Sequence, residues 1–128
     1  MIVGIGTDLV EIGRIRAGLE RFGQRFIQRV YTAQETVYCL QYHDSAPHFA
    51  ARFAAKEAVA KALGVGLSQG VKFTQIEVVS LENGRVSIRL SGAAADLAGQ
   101  LGIVNWHLSL SHSDLTASAY AIAEGAAS

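Results

Sequence analysis

Four charged residues, Arg52, Lys56, Glu57 and Lys61, crowd a stretch that reads as one long helix from about Pro47 to Leu63. At about 100° per residue, Phe49, Phe53, Ala60 and Leu63 share a stripe, with Lys56 inside it. Glu57 and Lys61 stand one turn apart at its edge. Three cations around a carboxylate suit a magnesium-bound polyphosphate, which needs a hard oxygen ligand and cations to neutralise phosphate oxygens. A plainer account also fits. Glu57 and Lys61 can form an exposed ion pair worth about 0.2–0.5 kcal/mol, and Lys56 can lay its stem over Phe53 with its ammonium in water. Spacing alone does not separate the two.

Asp8 follows a short alternating strand and precedes Leu9-Val10-Glu11. It can cap the next helix, with Glu11 reaching back. Equally, it can share a metal ion with Glu57, since magnesium takes one or two protein carboxylates and completes its octahedron with phosphate and water. Toward the other end, a period of two puts Trp106, Leu108, Leu110 and His112 on one strand face. His112 is then either a satisfied core histidine or a phosphate donor or proton acceptor opening into a cleft. Ser111, His112 and Asp114 are too close in sequence to converge as a hydrolase triad. Cys39 and His43 lie one helical turn apart, but with no further cysteine nearby they make a poor zinc pair.

If residues 11 to 30 are largely helical, Arg14, Arg21, Arg25 and Arg29 fall within about an 80° sector. Ile12, Ile15, Leu19, Phe22, Phe26 and Val30 form the apolar face beside them. A charge run usually means a solvated surface, but Glu20 alone relieves the basic side before Gln28. In a chain with 11 basic and 11 acidic residues, such a stripe suggests docking to an acidic partner.

The elements that must position these groups follow in order. A first strand ends near Thr7-Asp8, and helical stretches run from Glu11 to Phe22 and on through Val30, with Gly23 as a stop. Thr32-Ala33-Gln34-Glu35 has the capping-box pattern and opens a helix toward Tyr42. After the central helix, Gly64 ends it, and Gln75 to Leu81 pairs with Arg85 to Leu90 around Asn83-Gly84. Ser91 caps a helix to Leu101, and strands Asn105 to His112 and Ala117 to Ala123 close the chain. This order predicts an α+β fold, an antiparallel sheet packed against the long central helix and shorter helices. Ala51, Ala55, Ala58 and Ala62 form a small-residue face suited to close approach of another helix.

A chain of 128 residues, half of them hydrophobic, suits a single domain spanning 1–128 with a real core. The balanced charge argues against nucleic acid, and the dispersed apolar residues argue against a membrane span. The start, Met1 to Gly6, lacks signal-peptide features. The lone Cys39 suits a reducing cytoplasm.

Taken together, the motifs resemble the holo-acyl-carrier-protein synthase family of phosphopantetheinyl transferases. Gly4-Ile5-Gly6-Thr7-Asp8-Leu9-Val10-Glu11-Ile12 with Arg14-Ile15 looks like the opening motif. Arg52-Phe53-Ala54-Ala55-Lys56-Glu57-Ala58 with Lys61-Ala62 and Gly64 looks like the signature helix, and Trp106 to His112 like the closing strand. The resemblance implies transfer of 4′-phosphopantetheine from coenzyme A to a serine of an apo-acyl-carrier protein in fatty acid biosynthesis, with release of adenosine 3′,5′-bisphosphate. It implies that Asp8 and Glu57 ligate magnesium and that Lys61 lies at the reacting phosphate, these three forming the catalytic set. Arg52, Lys56, Gly64, Gly66, Ser111 and His112 would bind the coenzyme. Arg14, Arg21 and Arg25 would face the acidic helix of the carrier. A homotrimer with active sites at its subunit interfaces is implied too, with the alanine face partnered there.

Three features depart from the family pattern. Leu63-Gly64-Val65-Gly66 stands where Phe-Gly-Thr-Gly is frequent, so a hydroxyl near the phosphates is missing. Asn83-Gly84-Arg85-Val86 replaces Asn-Gly-Lys-Pro, which changes only turn rigidity. No motif aligns with residues 39 to 46. Two other functions use the same residues: a magnesium-dependent coenzyme A or nucleotide hydrolase, and a non-catalytic module that docks acidic partners.

Overall fold

Two glycines on the first strand decide how the molecule is built. The computed structural model describes residues 1–67 and 70–127. Strand β1 spans Ile2–Glu11 and helix α4 spans Ala46–Leu63. A Cβ on Gly6 would collide with the Ala58 carbonyl, and one on Gly4 with the Ala62 carbonyl. The helix backbone therefore rests directly on the strand backbone, a close approach that only glycine permits. Strand β5 (Thr116–Gly125) continues this floor with Ala117, Ala119, Ala121 and Ala123, all fully buried.

The main sheet is antiparallel in the order β1-β5-β4, with β4 spanning Ile103–His112. Helix α4 lies across β1 and β5, as the sequence predicts. Its alanine face, Ala51, Ala55, Ala58 and Ala62, is buried. The partner of that face is the sheet of the same subunit, where the sequence suggested another helix or a neighbouring chain. Small residues serve close packing on either kind of partner, so their pattern does not name it.

Between β1 and α4 run three shorter helices, α1 (Ile12–Phe22), α2 (Gln24–Val30) and α3 (Ala33–Leu40). Gly23 separates the first two with φ of 55°, so the arginine stripe is carried by two helices and not one. Phe22, assigned above to the apolar face, is half exposed at this break. The capping box forms: Thr32 Oγ1 accepts from Glu35 N at 3.2 Å, and Thr32 N donates to Glu35 Oε1 at 2.9 Å. Such a cap stabilises by about 1 kcal/mol.

Strands β2 (Ile76–Ser80) and β3 (Val86–Leu90) form the expected hairpin, turned by Asn83 and Gly84 with φ of 64° and 73°. This pair is a separate two-stranded sheet. The single sheet anticipated from alternation is thus two, because period two marks strands but not which ladder each joins. Helix α5 (Gly92–Gln100) links the hairpin to β4.

The outer face of the main sheet carries Ile5, Leu9 and Tyr120, at 66%, 69% and 58% exposure. Nothing among the described residues covers them. No helix among the described residues is long and apolar enough to cross a membrane.

Candidate functional site

Strand β1 runs three residues past the point suggested by alternation, because its ladder with β5 continues to Glu11↔Thr116. Helix α1 therefore starts at Ile12, with Glu11 extended at the cap position and making no side-chain cap bond. Asp8 sits inside the strand, so it is not a helix cap. Gly4, Gly6 and Asp8 share one face by period two. With Gly4 against Ala62 and Gly6 against Ala58, the next residue of that row lies beside the turn of α4 that carries Glu57.

The three residues expected to be catalytic are brought together there. Lys61 Nζ donates to Asp8 Oδ1 at 3.1 Å and to the Thr7 carbonyl at 2.9 Å. The Asp8 side chain is only 18% exposed, whereas that of Lys61 is 54% exposed. Glu57 is half-buried. Burial and then the nearby Asp8 charge push its carboxyl above the usual range, while Lys61 pulls it down. The plain i,i+4 pair of Glu57 with Lys61 is not what forms, since the lysine reaches across to the strand.

Two neighbouring carboxylates, with the Asp8 charge raising the proton affinity of Glu57 and one cation only partly offsetting it, form a hard-oxygen donor set. No group of three or more His, Cys, Asp or Glu residues gathers among the described residues. A magnesium ion that keeps water and substrate phosphate in its shell asks for no more than two carboxylates, so Asp8 and Glu57 fit it.

Arg52 begins a second group, about 7.5 Å back along the helix axis from Glu57 at 1.5 Å per residue. It is buried at 4% exposure. Its Nη2 donates to Ser80 Oγ at 2.9 Å, its guanidinium lies 3.9 Å over the Tyr38 ring, and its Nε is buried without a partner among the described residues. His112, at the end of β4, meets His48 edge to face with ring centroids 5.7 Å apart. His48 in turn stacks on Tyr42 at 3.5 Å. Tyr38, Tyr42 and His48 were invisible as site residues in the sequence; only aromatic residues one turn apart hinted at them.

Lys56 corrects an expectation. Its side chain is wholly buried, and Nζ donates to Glu35 Oε1 at 2.6 Å, to the Ile76 carbonyl at 2.7 Å and to the Phe73 carbonyl at 3.0 Å. All three ammonium donors are taken, so this lysine neither snorkels nor reaches a coenzyme. Burial holds its pKa down against the pull of Glu35. Glu35 also accepts from Val78 N at 2.7 Å, which ties α3, α4 and β2 together.

The remaining coenzyme residues are spread. Gly64 caps α4 in the left-handed region with φ of 82°, and Gly66 follows it, exposed. Ser111 and His112 are neighbours on a strand and point to opposite faces of the sheet. Within one subunit they do not share a pocket. Cys39 is fully buried, with its thiol pushed up to about 12 by burial, while His43 is exposed, and they form no metal pair.

Arg14, Arg21, Arg25 and Arg29 are all exposed. None has a carboxylate partner among the described residues. Phe22, Arg25, Phe26, Gln28 and Arg29 line a hollow of about 540 Å³ on this surface.

The chain is similar to known proteins along nearly its whole length. A family model described as the 4′-phosphopantetheinyl transferase superfamily matches residues 4–123. A holo-[acyl-carrier-protein] synthase of Protochlamydia amoebophila is 42% identical over 95% of this chain and 98% of its own. The crystal structure of holo-[acyl-carrier-protein] synthase from Neisseria meningitidis superposes with a TM-score of 0.88 at 36% identity, covering 97% of this chain and 99% of that one. The Helicobacter pylori synthase, solved in complex with coenzyme A, gives 0.83 at 32% identity, covering 94% and 99%. With its signature helix, opening strand and closing strand all inside the matched region, the chain belongs to the 4′-phosphopantetheinyl transferase superfamily.

Proposed function

We propose that residues 1–128, as a single domain, transfer 4′-phosphopantetheine from coenzyme A to a serine hydroxyl of an apo-acyl-carrier protein, as a holo-[acyl-carrier-protein] synthase. The observation that carries this reading is the junction of β1 and α4, where Lys61 bridges to Asp8 beside the half-buried Glu57. Asp8 and Glu57 would hold magnesium. When bound, the ion supplies neutralisation of charge on the pyrophosphate. Lys61, more than half exposed, donates hydrogen bonds to oxygens of the transferred phosphoryl group, steadying charge as the bond to adenosine 3′,5′-bisphosphate breaks. Its anchoring to the Thr7 carbonyl and Asp8 sets where that ammonium waits.

Arg52 and His112 would bind the phosphoadenosine end, and the Gly64–Gly66 turn lets a phosphate approach the backbone. Ser111, on the opposite face of β4, joins such a pocket only from a neighbouring subunit. That fits a homotrimer with interface active sites, and the uncovered Ile5, Leu9 and Tyr120 give its subunits an apolar sheet face to bury. The exposed Arg14, Arg21 and Arg25, without acidic partners among the described residues, would dock the acidic helix of the carrier. This chemistry belongs to fatty acid biosynthesis in the cytoplasm, where the unpaired Cys39 stays reduced.

The test is purified protein with coenzyme A, magnesium and an apo carrier, read by carrier mass. Addition of the phosphopantetheine mass that stops on chelation of magnesium is the expected result. Release of adenosine bisphosphate with the carrier unmodified would instead make the protein a hydrolase.

A further inference from the structure

The group around Arg52 contains more positive charge, and more capacity to gain it, than two coenzyme contacts require. His48 occupies the first turn of α4, one helical turn before Arg52. The groups that face it are Tyr38 and Tyr42 from α3, Asp44 from the loop before α4, Arg52 from α4 itself and His112 from β4. Tyr42 lies parallel to the imidazole, 16° between planes, and fixes its orientation. Asp44 is turned away toward Arg16, which grips it with two hydrogen bonds of 2.7 and 3.2 Å. The carboxylate is thus largely spent on another cation. Meanwhile the buried Nε of Arg52 has no partner among the described residues, and a buried donor left unpaired invites an acceptor from a ligand.

We propose that His48 is a third cationic arm of an anion subsite made with Arg52 and His112, closing on a phosphomonoester by taking up a proton as the ligand binds. This rests on the reading that the Arg52–His112 end of the site receives the coenzyme. In the free protein, burial and then the nearby His112 and Arg52 hold His48 below its ordinary value, against a weaker pull from Asp44. At neutral pH it is therefore uncharged, and two imidazoles can stand 5.7 Å apart without repulsion. A phosphomonoester carries close to two negative charges near neutral pH. Placed among these groups, it reverses the sign of the local field and draws a proton onto His48. Linkage then requires the converse, that lowering pH through the range where His48 titrates tightens binding.

The experiment measures coenzyme A binding by calorimetry at pH 8 and 6.5, in two buffers of different ionisation enthalpy. It compares the unaltered protein with His48→Asn and His48→Gln, each first checked for a native circular-dichroism spectrum. Binding of the unaltered protein should tighten roughly fivefold on going to pH 6.5, and that of the variants less than about twofold, with correspondingly less proton uptake. With 3′-dephospho-coenzyme A, which lacks the phosphomonoester, the His48-dependent difference should vanish. Variants that keep the full pH dependence overturn the role of His48. A difference that persists with dephospho-coenzyme A overturns the phosphomonoester as its ligand. Absence of coenzyme A binding by the unaltered protein at either pH overturns the proposed function along with it.

Discussion

Two lysines five residues apart on α4 each meet a carboxylate, and the two pairs have opposite characters. Lys56 and Glu35 are both sealed from solvent, and every donor of the ammonium has an acceptor. Lys61 and Asp8 sit at the surface with a second carboxylate, Glu57, left over and raised in proton affinity. A saturated pair can only hold elements in place, because any new partner must displace an existing one. An unsaturated group has charge and lone pairs to offer a ligand. The difference teaches that charge on the signature helix is not in itself a sign of catalysis; unfilled valence is.

The comparison can be broken most directly at Glu57. Glu57→Gln should lower transfer to the carrier at least about 1,000-fold, or about 4 kcal/mol in the barrier, as read by carrier mass. Its Tm should stay level or rise. Because the folded pKa of Glu57 is raised, the ionised carboxylate opposes folding at neutral pH, and glutamine removes that cost. Near-normal turnover would end the assignment.

At the sealed pair the effect should fall on stability instead. Lys56→Ala leaves Glu35 buried without its cation and should cost about 3 kcal/mol or more in denaturant unfolding. Lys56→Met combined with Glu35→Leu should recover only part of that loss, because it removes the buried charge but leaves Val78 N, Thr32 N and the Phe73 and Ile76 carbonyls without these partners. If Lys56→Ala unfolds like the unaltered protein but loses coenzyme binding, the two lysines are not different in kind.

A smaller effect is expected at Lys61. Lys61→Ala should lower turnover about 100-fold, or about 2.7 kcal/mol, with little change in Tm. The smallest concerns magnesium and pH. A metal ion must displace the proton that burial and Asp8 favour on Glu57, so the magnesium concentration for half-maximal transfer should rise as pH falls from 7 to 5.5. A magnesium requirement that does not change with pH would show that Glu57 is not a ligand.

Much of the open pair was legible in the sequence. Asp8 lies on the row of Gly4 and Gly6, and Glu57 and Lys61 lie one turn apart, so a strand and a helix suffice to converge them. The sealed pair was not legible. Glu35 announced itself only as a capping-box residue, and two of the acceptors for Lys56 are backbone carbonyls of residues 73 and 76, which no side-chain pattern marks. A lysine within an apolar stripe reads alike whether its tip emerges or finds partners inside. The split into two sheets was hidden for a similar reason, since strand pairing depends on distant chain segments. Between residues 38 and 48 the spacing marks only Tyr38 and Tyr42 as one turn apart, because His48 and His112 join them through α4 and β4.

The glycine contact between β1 and α4 has a consequence for how this protein can change over time. Where main chain touches main chain, the gap between two elements is a ruler made of peptide atoms, whose radii no substitution alters. Residues elsewhere in the interior can exchange volume with one another without moving Asp8 and Glu57 apart. The separation of the two carboxylates is thereby insulated from sequence drift in the core. That insulation comes from Gly4 and Gly6, two positions where even a methyl group has no room.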